Sequence, residues 1–270
     1  MRTSNQPETP AIRFDDGAAY ERYMGVWSQR VGDAFLEWLR PQPGLRWLDV
    51  GCGNGAFTER LIARCAPAAV EGIDPSAAQL AFARGRFAPE VARFREGDAM
   101  ALPFADDTFD VAVMPLVIFF VPEPAQGVAE MRRVVRPGGT VAAYAWDMEG
   151  GGFPYELLQA EMRAMDVVPL EAPRPDASRL DVLTQLWRAT GLDGVLTQTI
   201  TVQRTFVDFE DYWATIHGGP SVGRALTAMT PAQRDQLATR LRACLPTTAA
   251  GSITCEARAN AVLGRVPATT

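Results

Sequence analysis

The segment Leu48-Asp49-Val50-Gly51-Cys52-Gly53-Asn54-Gly55 constrains this chain more than any other. Leu45 to Val50 reads as a strand, Gly51 to Gly55 as a turn, and Ala56 to Cys65 as the helix it opens. Glycine has no side chain and tolerates positive φ, so such a turn lets a ligand approach the backbone where the first helical N–H groups are free. Dinucleotide-binding folds use a similar device, so the turn marks a small-molecule site without choosing the molecule.

The same alternation continues. Val70 to Ile73 reads as a second strand, and Ser76 to Arg86 as a helix with a serine N-cap after Pro75. Ala92 to Glu96, Phe109 to Met114 and Thr140 to Trp146 read as further strands, with a helix over Pro124 to Val135. Strands and helices at this spacing imply parallel units with right-handed crossovers, hence a doubly wound α/β sheet. After Gly150 the texture changes. Helices are expected over Phe153 to Met165 and Arg179 to Thr190, and strands over Val195 to Val207 and Ile253 to Val262. Between those strands Asp208 to Leu245 reads as helical, interrupted by His217-Gly218-Gly219-Pro220 and long enough to cap the sheet. Ahead of the first strand, Tyr20, Tyr23, Met24, Trp27, Val31, Phe35 and Leu39 recur at helical spacing, and Pro41 and Pro43 end that pattern.

Two aspartates sit where an adenosine-bearing cofactor would meet them. Asp74 closes the second strand, where a carboxylate can accept from both hydroxyls of a ribose; Asp98 follows the third in Glu96-Gly97-Asp98-Ala99, placed to accept from an adenine amino group. As an alternative, either aspartate merely caps its loop. With LDVGCGNG at 48–55, GIDPS at 72–76, EGDAMALPFADDTFDVAV at 96–113 and MRRVVRPGGTVA at 131–142, the chain resembles the class I S-adenosylmethionine-dependent methyltransferases. The likeness is to their small-molecule branch, similar to the ubiquinone/menaquinone-biosynthesis enzymes, and is strong from Arg46 to Trp146.

The resemblance implies a Rossmann-like, seven-stranded, mostly parallel sheet with N-terminal helices and a helical cap insertion. Residues 1–43 would close over the cofactor, 44–149 would bind it, and 150–270 would complete the sheet and cap the substrate. The turn Gly51-Cys52-Gly53-Asn54, with Asp49 nearby, would receive the methionine end of S-adenosyl-L-methionine. Asp74 would hold the ribose, Pro75 and Met100 the adenine faces, and Asp98 with Ala99 the adenine edge, with Ser76 also among the cofactor-binding residues. Met114-Pro115-Leu116 would lie near the sulfonium, although the family often has a polar residue where Pro115 stands. Tyr23 and Trp27 line the methionine end on one reading and are plain core on the other. Arg136-Pro137-Gly138-Gly139 is expected to be a tight reversal, with proline ending the helix.

Composition narrows the field. The charge of −6 gives no global attraction for a polyanion, so the expected partner is a small-molecule methyl acceptor and not nucleic acid. Every one of the 26 basic residues is arginine, which excludes lysine-based covalent chemistry. Four cysteines and one histidine in no zinc-like spacing predict no metal, and with no export signal they suit a reducing cytoplasm. The apolar run Val111 to Val121 falls short of the roughly 20 residues of a membrane helix. Trp146, Phe153, Tyr155, Tyr212 and Trp213 are candidates for an apolar acceptor pocket. His217, four residues after Trp213, is the one side chain whose ordinary pKa suits a general base near neutral pH; a solvated histidine at a helix end is the alternative. Three other functions compete: a nicotinamide oxidoreductase, which leaves the Asp98 segment unexplained, a nucleic-acid methyltransferase, and an S-adenosylmethionine-binding protein that transfers no methyl, such as a cyclase or regulatory module.

Overall fold

A computed structural model describes residue 18 and residues 21–268. Tyr20 and the polar N-terminal residues lie outside the described part. Seven strands form one sheet in the order β3-β2-β1-β4-β5-β7-β6. These are β1 (Arg46–Val50), β2 (Ala69–Asp74), β3 (Arg93–Glu96), β4 (Phe109–Pro115), β5 (Val135–Trp146), β6 (Asp193–Phe206) and β7 (Ile253–Arg265). The first five are parallel; β7 runs antiparallel to β5, and β6 antiparallel to β7. The chain reverses its build direction between β1 and β4, where open α/β sheets place their ligands beyond the carboxyl ends of the strands.

Helices cover both faces. On one side α1 (Val26–Leu39) and α2 (Ala56–Cys65) join over Tyr144: Phe35 of α1 lies 4.7 Å from its ring and Phe57 of α2 6.0 Å. On the other lie α4 (Pro124–Val134) and α6 (Leu180–Ala189), where the Trp187 indole donates to the Val141 carbonyl at 2.9 Å. The helix α3 (Ala77–Arg86) starts at the expected cap, Ser76 Oγ accepting from the Gln79 N–H. α5 (Glu156–Arg163) follows β5 and is shorter than the sequence pattern suggests.

Two expectations need correction, and one helix has an unexpected start. The Arg136–Gly139 stretch is no reversal: α4 ends at Val134 and β5 begins at once, with a bulge in its pairing to β4 between Phe109 and Val111. Gly138 takes φ +77°, and a side chain on Gly139 would strike the Asp110 carbonyl, so the two glycines carry the strand through the bulge. The Asp208 to Leu245 segment breaks twice, into α7 (Phe209–Ile216), α8 (Val222–Ala228) and α9 (Pro231–Cys244). The second break is a capping box, in which Thr230 and Gln233 bond each other's backbone and Pro231 opens the helix. Finally, the N-terminal helix is entered through a π-helical turn, Glu21–Gly25.

Phe35 is fully buried between α1, α2 and β5. Phe35→Ala should therefore lower the unfolding free energy by about 3–5 kcal/mol, whereas Val207→Ala, at a side chain 76% exposed, should stay within about 0.5 kcal/mol. Chemical denaturation of the two variants checks the contrast.

Candidate cofactor and acceptor site

The site begins with the ends of two parallel strands. The Ile73 carbonyl accepts from the N–H groups of both Gly51 and Cys52, at 2.7 and 3.0 Å, which ties the glycine-rich turn to the end of β2. One residue further, Asp74 accepts from Gly53 N–H at 2.9 Å and from Ser76 N–H at 2.8 Å. Gly51 and Gly53 have φ of +74° and +52°, so both need glycine's freedom. A side chain on Gly51 would collide with Val117, whereas at Gly53 the nearest atom would be 3.9 Å away, so the turn is open on that side.

Two carboxylates are perturbed here. Asp49, fully buried beneath the turn, has its pKa pushed up to about 7, chiefly by loss of water, against a 2.6 Å hydrogen bond from Thr58 Oγ1 that lowers it. Its other oxygen, Oδ1, has no partner among the described residues. Burial also raises the Asp74 pKa, opposed by the Ser76 and Gly53 N–H groups. Asp98 is exposed at the end of β3, accepting from Met100 N–H at 2.8 Å, while Gly97 N–H reaches back to the Asp74 carbonyl at 3.2 Å. Asp49, Gly51, Cys52, Gly53, Asn54, Asp74, Pro75, Ser76 and the Asp98–Met100 segment thus gather at the ends of β1, β2 and β3.

The N-terminal segment crosses this region. Glu21 accepts from Asn54 Nδ2 at 2.7 Å and pairs with Arg86 of α3 at 2.9 Å, a latch that sequence reasoning missed because a lone glutamate reads as surface charge. Tyr23 is held by its carbonyl, which receives the Tyr155 hydroxyl at 2.6 Å and Arg204 at 3.2 Å. Its ring stacks on Tyr155 with centroids 4.4 Å apart. Gly219 packs on the same ring, where a side chain would come within 2.9 Å.

Tyr23 and Leu116 also line a cavity of about 400 Å³ beyond the ends of β4 and β5. Leu116 takes φ +61°, held by its N–H bond to the Tyr144 carbonyl at 2.7 Å; such backbone persists only where its surroundings fix it. Met114 and Pro115 are buried in β4 and pair with β5. Of the aromatic candidates, Trp146 and Phe153 line the cavity. Tyr155 and Tyr212 are buried outside its lining, and Trp213 stacks on Phe209. Trp27 is also outside it, buried edge-on to Trp146 and donating to the Tyr155 hydroxyl. His217 is exposed at the end of α7, its Nδ1 2.7 Å from the Trp213 carbonyl, and does not belong to the cavity lining. Phe119, Phe120, Met148 and Glu171 do, from connecting segments that carry no motif.

A mostly parallel seven-stranded sheet with a glycine turn, an acid at the end of β2 and a cavity beyond the ends of β4 and β5 makes this a Rossmann-like α/β fold. Residues 48–143 match the methyltransferase domain family. It is 34% identical over 155 residues to the ubiquinone/menaquinone biosynthesis C-methyltransferase of Ruegeria sp. (strain TM1040), a match that covers 54% of this chain and 60% of that protein. The chain therefore aligns with less than two thirds of that relative's length. Among solved structures, a putative methyltransferase from Bacillus halodurans superposes with a TM-score of 0.59 at 17% identity, covering 87% of this chain and 98% of that one. Phosphoethanolamine N-methyltransferase 2 of Haemonchus contortus, solved with S-adenosyl-L-methionine, gives 0.59 at 19% identity, covering 93% and 56%. These structural likenesses establish the fold. Among the described residues no helix is long and apolar enough to cross a membrane.

The Asp49 carboxyl supplies a pH test. Because its folded pKa lies above the unfolded value, the native state keeps a proton that the unfolded chain gives up. Its stabilising contribution is thus complete below about pH 4 and is lost as the pH rises toward 7. Between those limits the wild type should lose up to about 4 kcal/mol relative to Asp49→Asn, measured by urea unfolding of both proteins across the range.

Proposed function

We propose that this protein is an S-adenosyl-L-methionine-dependent methyltransferase acting on a small-molecule acceptor held in the Leu116–Trp146 cavity. One observation carries the reading: the cavity begins at Leu116, and the adjoining Val117 packs directly on Gly51 of the glycine-rich turn. A cofactor seated on the turn and an acceptor in the cavity would meet there.

The residues present suit the cofactor. The open turn at Gly53 admits the methionine end, and the unpartnered oxygen of Asp49 supplies a buried acceptor beneath it. Each Asp74 oxygen takes a single N–H bond, which leaves lone pairs for two ribose hydroxyls. Asp98, Ala99 and Met100 would take the adenine. When bound, the cofactor supplies an electrophilic methyl group for direct displacement. The chain's own work is then to align the acceptor and exclude water; orientation of this kind is worth on the order of 7 kcal/mol or more in favourable cases. Tyr23, Met24 and Trp146, all nearly inaccessible to solvent, wall off the meeting point. Alignment and desolvation are the working mechanism. A proton-transfer role for His217 would need its imidazole to swing from its exposed position into the cavity, whose lining does not include it.

Asp74→Ala should weaken S-adenosylhomocysteine binding by about 1.5–3 kcal/mol, since it removes an ionised acceptor and also frees Gly53 N–H. Calorimetry with S-adenosylhomocysteine and with NAD tests both the site and the cofactor; tight NAD binding without S-adenosylhomocysteine binding would overturn the reading.

A further inference from the structure

A single carboxylate fastens the N-terminal segment to the glycine-rich turn. Glu21 opens the π-helical turn Glu21–Gly25, and its Oε2 takes both Asn54 Nδ2 at 2.7 Å and Arg86 at 2.9 Å. Asn54 is 2% exposed and is held from its other end as well: its Oδ1 accepts at 3.2 Å from the N–H of Ala56, the first residue of α2. The amide therefore has one productive orientation. Turned over, it would set its oxygen against the carboxylate and its NH2 against an N–H. Through Asn54, Glu21 acts on the shape of the turn itself.

A second observation shows that this contact is built into the chain. Gly25 has ordinary helical backbone, φ −56° and ψ −46°, so its conformation does not call for glycine. The Glu21 side chain does. A Cβ at position 25 would lie 2.5 Å from Glu21 Cδ and 2.7 and 2.8 Å from its two carboxylate oxygens. The carboxylate occupies the space that a side chain would fill, and from there it reaches Asn54. Two residues beyond Glu21, the Tyr23 carbonyl is bonded by Tyr155 and Arg204. The segment is thus anchored on one side through a buried phenol and on the other through an ion pair whose Glu21 and Arg86 side chains keep 26% and 19% of their surface. Ion pairs that water reaches break and re-form readily, so the Glu21 contact is the one that opens.

We propose that Glu21 is a positioning residue of the cofactor site: it fixes the glycine-rich turn through Asn54 and, with Arg86, clasps the N-terminal segment to it, so that a molecule on the turn leaves when the clasp opens. Naming that molecule as S-adenosyl-L-methionine or its product rests on the methyltransferase reading above; the clasp itself does not. Glu21 needs no bond to the ligand. Its effect falls on release more than on approach, since Asp74 and the strand ends are untouched by it.

Gly25→Ala tests this without deleting any hydrogen-bonding group. Alanine suits helical backbone better than glycine, so the thermal midpoint should not fall, yet the added methyl displaces the Glu21 carboxylate from Asn54. Hydrogen exchange of the free protein should then speed up about fivefold at residues 51–56, in Gly25→Ala and Glu21→Ala alike. Stopped-flow displacement of S-adenosylhomocysteine should show dissociation about tenfold faster in both variants, with association within about twofold of wild type. Gly25→Ala should add little to Glu21→Ala, because the group it displaces is gone. Glu59→Gln, which removes the other carboxylate on Arg86, should leave both readouts as they are. Wild-type values of either readout in the two single variants, or additive effects in the double variant, would overturn the proposal. A wild type that binds no S-adenosylhomocysteine strikes the methyltransferase reading instead, and the exchange measurement then decides the clasp alone.

Discussion

The hydrogen bonds that tie the glycine-rich turn to the end of β2 are the constraint on which the site depends. Two consecutive N–H groups converge on the Ile73 carbonyl and a third reaches the Asp74 carboxylate. Left to itself a turn with three glycines would sample many conformations and lose more entropy on ordering than any other sequence. Anchoring it at three points to the neighbouring strand fixes its shape before a ligand arrives, and the same strand end supplies the acid that the proposed ribose would meet. The cost is a buried carboxylate beside a half-buried one. Asp49 lies under the turn with Asp74 close enough to raise its pKa, and a hydroxyl from Thr58 is its one neutral partner.

The three stretches of chain distinguished by sequence do not pack as three separate bodies. The carbonyl of Tyr23, from the N-terminal segment, accepts from Tyr155, which follows β5, and from Arg204, on β6. Trp27 donates to the same Tyr155 hydroxyl and meets Trp146 edge-on. One phenol thus stitches the entry helix to the back of the sheet, and the buried core runs without interruption from α1 to β7.

Much of the fold was legible because local pattern and tertiary role agree. The Ala56–Cys65 helix and the Ser76 cap appear where the spacing puts them, since glycine and proline punctuate them within a few residues. The start of β5 was not legible. A Pro-Gly-Gly run ordinarily reverses the chain, and only the nearness of the Asp110 carbonyl, set by β4, shows that these glycines serve a bulge. The break at Thr230 was written in the sequence as a capping box but lay inside a long helical pattern that hid it. At the site, residues in the glycine turn and at the strand ends were readable because backbone geometry demands them. The cavity lining was not. Phe119, Phe120 and Glu171 sit on connections whose position depends on elements far away in sequence, and the Val111–Val121 run signals only burial. The aromatic candidates show the same limit: Trp146 and Phe153 reach the cavity while Tyr155 spends its hydroxyl within the core, a difference of side-chain direction invisible in composition.

Tyr23 belongs to two structures at once. It sits two residues beyond Glu21, which spans from Asn54 of the glycine turn to Arg86, and its ring forms part of the wall of the neighbouring cavity. A molecule in either place would meet the same short π-helical turn. Thermodynamic linkage then requires reciprocity: whatever free energy a ligand on the turn contributes to holding Tyr23 is a contribution the second ligand need not make, and the converse holds to the same degree. The coupling between the two places would then run in part through this one residue's tether.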